Sequence, residues 1–177
     1  MKRTLFLLSF FFLISGILGA RYVIRLTTFK TGDRLLLPVR VEKIEKDAFP
    51  FIARIRYYNF IPVEELEKER GVVVVRRLED GRIDFVANAE GQKRHSRELI
   101  LKYEVVSPPF FMSEQKEPDI RFAASSLRFF KQEFSAAAVR YAVVYVNASG
   151  EAYLAGLADA TGSLLVRGLA LKAFHIL

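Results

Sequence analysis

The sequence contains no cysteine and only two histidines, and asparagine and glutamine occur three times each among 177 residues. Without cysteine there can be no disulfide framework, thiol nucleophile, zinc ribbon or iron–sulfur cluster. His95 and His175 are the only imidazoles, which excludes most histidine-based metal sites. Glycine is sparse and scattered. Gly71, Gly81 and Gly91 each fit a separate turn, so no glycine-rich phosphate loop is present. Nucleophile chemistry has little to work with. His95-Ser96 with Glu98 nearby forms no triad, because adjacent loop side chains rarely reach hydrogen-bond geometry and no third orienting group is identifiable. The serine that a serine–lysine peptidase needs just after its anchor is also missing. No metal and no cofactor is expected, and the balance leans away from an enzyme.

What is there begins with a membrane signal. Lys2-Arg3 precedes residues 4–20, which carry no charge and are nearly all apolar. As a helix this run spans roughly 25 Å at 1.5 Å per residue, the short limit for a bilayer crossing. Two readings stand side by side, an uncleaved anchor and a cleaved signal peptide. Ala20 suits the −1 site of a cleavage signal, but Leu18 is too large for −3, which favours the anchor. The expected organisation is an anchor or signal segment at 1–20 and one domain at 21–177, long enough to bury its own core. Net charge is +7, and it falls to +5 once Lys2 and Arg3 are set aside. The bases are mixed with acids along strands, which describes a solvated surface and not a nucleic-acid site. Arg21, Arg25, Lys30 and Arg34 follow the apolar run, so a bare count of Lys and Arg would place the domain in the cytoplasm.

Beyond residue 20 the grammar is that of strands. Tyr22 to Phe29 is β-branched and aromatic, and Thr31-Gly-Asp-Arg34 reads as a turn. Leu35 to Ile44 reads as a strand, with Pro38 marking an edge or a bulge. Phe51 to Tyr58 alternates as a third strand. Pro62 to Gly71 has helix grammar, with proline near the start, acids early and Gly71 fit for the C′ position. Its glutamates point around the helix and form no metal site. Gly71 to Ala87 reads as a hairpin about Asp80-Gly81. Leu99 to Val106 is another strand, ended by Ser107-Pro-Pro109. Phe110-Phe-Met112 is either a buried strand end or an exposed patch for a partner or membrane surface. Ile120 to Ala138 is ambiguous, with Leu127, Phe130, Phe134 and Ala138 at helical spacing. Val139 to Leu157 is a hairpin about Asn147-Ala-Ser-Gly150, where Asn147 heads a glycosylation sequon but also suits a tight turn. The predicted fold is mainly β: an antiparallel sandwich or partly closed barrel of about eight or nine strands, with one or two short helices, behind an N-terminal transmembrane helix.

The order of these elements resembles the GDYXXLXY family of bacterial membrane-anchored proteins. Leu35-Leu-Leu37 matches the family's aliphatic strand end. Ile52, Ile55 and Tyr57 take the positions of Tyr-x-x-Leu-x-Tyr, with Pro50-Phe51 replacing the Gly-Asp of the name. Phe129, Phe130 and Glu133 match an aromatic-Phe-x-x-Glu motif, with Gln132 in place of its proline. Gly156-Leu157 matches the closing hairpin. The resemblance implies an extracytoplasmic domain, a cell-membrane location with a single pass, and an integral membrane protein as partner.

The expected function is therefore an anchored envelope domain, attached through residues 4–20, that binds or supports an integral membrane partner. The alternative is a secreted or anchored module for an anionic lipid or cell-wall ligand, using Arg54, Arg56, Arg76 and Arg77. A third reading, an enzyme working with carboxylates, centres on Glu133 among Phe130 and Phe134. Against it, Glu133 could simply pair with Arg128 or Arg140.

Overall fold

The computed structural model describes residues 2–47, 49–62, 65–66, 69–88, 97–106, 119–130 and 134–169. Helix α1 (Lys2–Thr31) leads into β1 (Asp33–Glu45), β2 (Phe51–Tyr57), β3 (Arg70–Arg77), β4 (Ile83–Asn88), β5 (Glu98–Val105), β6 (Ile120–Arg121), β7 (Ser126–Phe129), β8 (Tyr141–Val146), β9 (Ala152–Ala158) and β10 (Leu164–Arg167). The chain is mainly β, as expected from its alternation. Ten strands are present among the described residues, against the eight or nine anticipated. They form a six-stranded sheet, ordered β10-β9-β8-β1-β2-β7, and a four-stranded sheet, ordered β4-β3-β5-β6. All named strand pairs are antiparallel.

The first strand joins the two halves of the six-stranded sheet. Residues 33–38 pair with β8, and residues 39–45 pair with β2. The change of partner falls beside Pro38, which has no N–H to give a ladder. Its carbonyl accepts from Tyr58 N–H at 2.9 Å. Leu35, Leu37 and Val39 point inward and meet Val73, Val75, Leu101 and Tyr103 of the facing sheet in one core. The two sheets are also seamed along their edges. Lys102 N–H donates to the Gly150 carbonyl at 2.9 Å, and Leu36 N–H donates to the Gly81 carbonyl at 2.8 Å. The sandwich is thus partly closed, like half a barrel.

Two expectations fail here. Tyr22 to Phe29 is not a strand but the last part of α1, so the boundary drawn at residue 20 falls inside a continuous helix. At 1.5 Å per residue its 30 residues extend about 45 Å. The hydroxyls of Thr27, Thr28 and Thr31 turn back onto the helix and donate to the carbonyls of Val23, Ile24 and Thr27 at 2.9, 2.8 and 3.1 Å. Helix ends where Gly32 meets the sheet: a Cβ there would lie 2.5 Å from the Thr28 carbonyl oxygen and 2.8 Å from that of Val146.

The second failure is the helix expected over Pro62 to Gly71, of which residues 63–64 and 67–68 lie outside the described residues. Glu65 is in a short 3-10 turn, while Arg70 and Gly71 already belong to β3 and face Glu104 and Tyr103 of β5. Local helix signals yield here to cross-strand pairing. The stretch from Ile120, ambiguous in the sequence, resolves among its described residues into β6, β7 and a 3-10 turn at Ala136–Ala138. Leu127 and Phe129 are buried and Ser126 and Arg128 exposed, a period of two.

The end of α1 packs on the outer face of the six-stranded sheet. Phe29 is buried there with Leu36, Val143, Ala155 and Ala158, beneath Tyr141, Tyr145 and Tyr153. This explains why Leu35, Leu36 and Leu37 are consecutive and all buried. The strand is covered on both faces, so alternation is lost. Residues 12–20, by contrast, are exposed throughout.

Candidate functional site

The four arginines expected to hold an anion do not converge. Arg54 and Arg56 share the outer face of β2, because Ala53, Ile55 and Tyr57 point into the core. Arg54 Nε lies 2.7 Å from Glu45, and Arg56 pairs with Asp119. Arg76 and Arg77 are on the other sheet and pair with Glu98 at 3.5 Å and Asp33 at 2.8 Å. Every one of them already faces a carboxylate.

The motif positions taken from the family resemblance are mostly packing residues. Ile55, Tyr57, Phe129 and Leu157 belong to the sandwich core, and Ile52 is half-buried on the opposite face of β2. Phe130 is turned outward and meets Phe49 with ring centroids 5.7 Å apart. Gly156 lets β10 approach, since a Cβ there would overlap the Val166 carbonyl oxygen. Tyr57 is more than filler. Its hydroxyl donates to the Ala124 carbonyl at 3.0 Å, and burial pushes its pKa well above the ordinary 10.0. Glu133, His95, Ser96 and Phe110-Phe-Met112 lie outside the described residues.

Depressions mark the described surface. One of about 460 Å³ flanks the Asp80-Gly81 turn, where Asp33, Glu79 and Asp80 offset Arg34, Arg77 and Arg97. Another, of about 160 Å³, surrounds the Arg56–Asp119 pair. A third, of about 750 Å³, runs between the last turns of α1 and the sandwich. Arg21 and Arg25 line its helical wall, and Lys102, Glu151 and Tyr153 line the sheet wall. Arg21 and Arg25 are one turn apart on one helix face. The Arg25 guanidinium lies over the Phe29 ring, 5.7 Å from its centroid. Glu151 accepts from the Tyr153 hydroxyl at 3.0 Å and from Lys102 Nζ at 3.5 Å. The Tyr153 hydroxyl and then the Lys102 ammonium hold the Glu151 carboxyl below its ordinary 4.5. Burial and the Glu151 carboxylate raise Tyr153 in turn.

Sequence reasoning missed this groove. Its one legible trace was the spacing of Arg21, Arg25 and Phe29 by four, which sets three residues on one face of a helix. Among the described residues, no group of three or more acidic or histidine side chains is placed to hold a metal ion. A scan against protein-family models and searches of curated proteins and solved structures found no match to this chain. The fold and the groove therefore carry the functional argument.

Proposed function

We propose that this chain is a single-pass envelope protein whose β-sandwich, on the extracytoplasmic side, binds or supports an integral membrane partner and performs no chemistry of its own. The observation that carries the reading is the continuity of α1. By length and composition α1 could cross a membrane, and its final turn is built into the sandwich through buried Thr28 and Phe29. A membrane segment joined in this way would hold the domain at a fixed height and orientation, where a flexible linker would let it roam. That arrangement suits a support for another membrane protein.

The exposed part of the helix favours such a partner. Ser15 and Gly19, and likewise Gly16 and Ala20, are four residues apart, the small-residue spacing that lets two membrane helices approach closely. Apart from the adjoining residues and backbone of the helix itself, no described atom lies within 4 Å of where a Cβ would stand on Gly16 or Gly19. The family resemblance supports the outward orientation, against the Lys and Arg count.

The test is a full chain with a C-terminal reporter active only outside the cytoplasm, combined with intact mass and alkaline carbonate extraction. The expected result is an active reporter on a chain of full mass that stays with the membrane pellet. A reporter silent outside and active inside would overturn the orientation. A mass lacking residues 1–20 would overturn the anchor.

A further inference from the structure

We propose that the groove between the end of α1 and the β-sandwich binds the phosphate group of an anionic phospholipid. This rests on the membrane-anchored reading above, and it concerns residues that reading does not use.

The charge in the groove is one-sided where it matters. Arg21, Arg25 and Lys102 bring three cations against one carboxylate, Glu151. That carboxylate is already engaged by Lys102 and by the Tyr153 hydroxyl. Neither Arg21 nor Arg25 forms a salt bridge among the described residues, whereas Arg54, Arg56, Arg76 and Arg77 all do. An anion entering here meets two guanidinium groups without a carboxylate partner.

Arg25 adds a second and independent observation. Its Nε is buried and finds no acceptor among the described residues. A buried donor left unsatisfied is costly, and native proteins leave few of them. The Arg25 guanidinium also lies over the ring of Phe29, 5.7 Å from its centroid. A guanidinium held this way presents a planar fork of N–H groups, the geometry that matches phosphate oxygens. The groove, at about 750 Å³, is also within the roughly 300–1,000 Å³ usual for small-molecule sites.

Position decides the source of the phosphate. Arg21 directly follows Ala20, the last residue of the uncharged run. With that run in hydrocarbon, Arg21 and Arg25 stand in the headgroup layer, where lipid phosphates are. Tyr22 is half exposed beside them, as interface tyrosines are. A lipid phosphate reaches the groove by lateral diffusion at high local concentration, which a soluble phosphate does not.

The experiment uses the full chain in phosphatidylcholine nanodiscs with increasing phosphatidylglycerol. The fraction of spin-labelled phosphatidylglycerol held immobile is compared with that of spin-labelled phosphatidylcholine. The wild type is expected to prefer phosphatidylglycerol, and the preference to weaken with ionic strength. In R21Q/R25Q the preference should fall by about five-fold for each guanidinium lost, the scale of one basic side chain at an anionic surface. R76Q/R77Q should keep it. K102Q changes the opposite wall and should weaken it too, which keeps the proposal testable if R21Q/R25Q fails to fold. Equal preference in wild type and all groove variants would overturn the site. Displacement of the labelled lipid by millimolar glycerol 3-phosphate would overturn the lipid as the source. Carbonate extraction separates this proposal from the one above. A wild type retained in membranes without lipid preference overturns the groove alone, whereas a wild type released from them overturns both.

Discussion

Phe29 of the helix meets Tyr145 of β8 edge to face, with ring centroids 5.7 Å apart and planes at 89°. A second edge contact joins the same ring to Tyr153 of β9 at 6.4 Å. Tyr145 and Tyr153 are themselves cross-strand partners. One phenylalanine thus clamps the helix to a tyrosine pair that the β8–β9 register creates, on a face that an isolated sheet would show to water. Phe29→Ala should lower unfolding stability by about 3 kcal/mol, at the lower end for a buried phenylalanine because the site is at the rim of the fold. Denaturant unfolding of the full chain in detergent, followed by far-UV circular dichroism, checks it. An unchanged midpoint would mean that the helix only tethers the sandwich.

Two turns share one design. In Asn147-Ala-Ser-Gly150 the Asn147 Oδ1 accepts from Ser149 N–H, the Ser149 hydroxyl and Glu151 N–H at 3.0, 2.7 and 3.0 Å. In Asp159-Ala-Thr-Gly162 the Asp159 Oδ1 accepts from Thr161 N–H, the Thr161 hydroxyl and Ser163 N–H at 2.8, 2.6 and 3.0 Å. Gly150 and Gly162 close them with φ of 82° and 80°. The amide and the carboxylate differ in one respect, their response to pH. The Thr161 hydroxyl first, and then the backbone N–H groups, hold the Asp159 carboxyl below its ordinary 3.8. A depressed pKa stabilises the fold above the unfolded value, and that contribution is lost as pH falls through the folded value. Asn147→Ala should therefore cost about 1 kcal/mol at every pH. Asp159→Ala should lower Tm at pH 7, and the difference from wild type should close as pH drops below about 3.8. Thermal melts at pH 7 and at acid pH, run for both variants, separate the two.

Tyr57 holds the junction of β2 with the segment before β7 through its bond to the Ala124 carbonyl. Tyr57→Phe keeps the ring but leaves that carbonyl without its donor, and should cost about 1 kcal/mol. Burial raises the Tyr57 pKa above 10.0, so the unfolded chain ionises first. Stability carried by this group is present below pH 10 and is lost as pH rises beyond it. Wild type should lose stability between pH 10 and 11 more steeply than Tyr57→Phe, measured as the shift in urea midpoint.

How much of this was legible depends on how local the cause was. The hairpin about Asp80-Gly81 was readable because its turn chemistry is complete within five residues: Gly81 has φ of 85° and Asp80 accepts from Arg82 N–H at 3.0 Å. The Asn147 turn was readable for the same reason, and its side-chain bonds explain the residue without glycosylation. The matching Asp159 turn went unread, although it repeats the same pattern. Residues 21–31 were misread because Arg21, Arg25 and Phe29, at spacing four, share a face in a helix and in a strand alike. Only the sheet beneath Phe29 distinguishes the two. The groove could not be read at all. Arg25, Lys102 and Glu151 are far apart in sequence, and what joins them is the stitch between Lys102 N–H and the Gly150 carbonyl together with the docking of α1.

Gly71 is the sharpest conflict between local signal and fold, and it gives the last prediction. Its sequence context fits the end of a helix, where glycine serves a left-handed backbone. The structure gives it no positive φ, since among glycines of the described residues only Gly81, Gly150 and Gly162 have one. Its role is steric. Gly71 pairs with Tyr103 across β3 and β5, and a Cβ would fall on the Tyr103 ring, which is buried in the core. The bare backbone is what lets the aromatic ring lie across the strand. Gly71→Ala should therefore destabilise by about 1–3 kcal/mol through overpacking, not through backbone strain. A smaller partner should relieve it. If the clash with Tyr103 is the cause, Gly71→Ala should cost markedly less in a Tyr103→Leu background, with a coupling energy of about 1 kcal/mol or more. A backbone cause would leave the cost of Gly71→Ala the same in both backgrounds. Urea unfolding of the two single variants and the double variant decides between them.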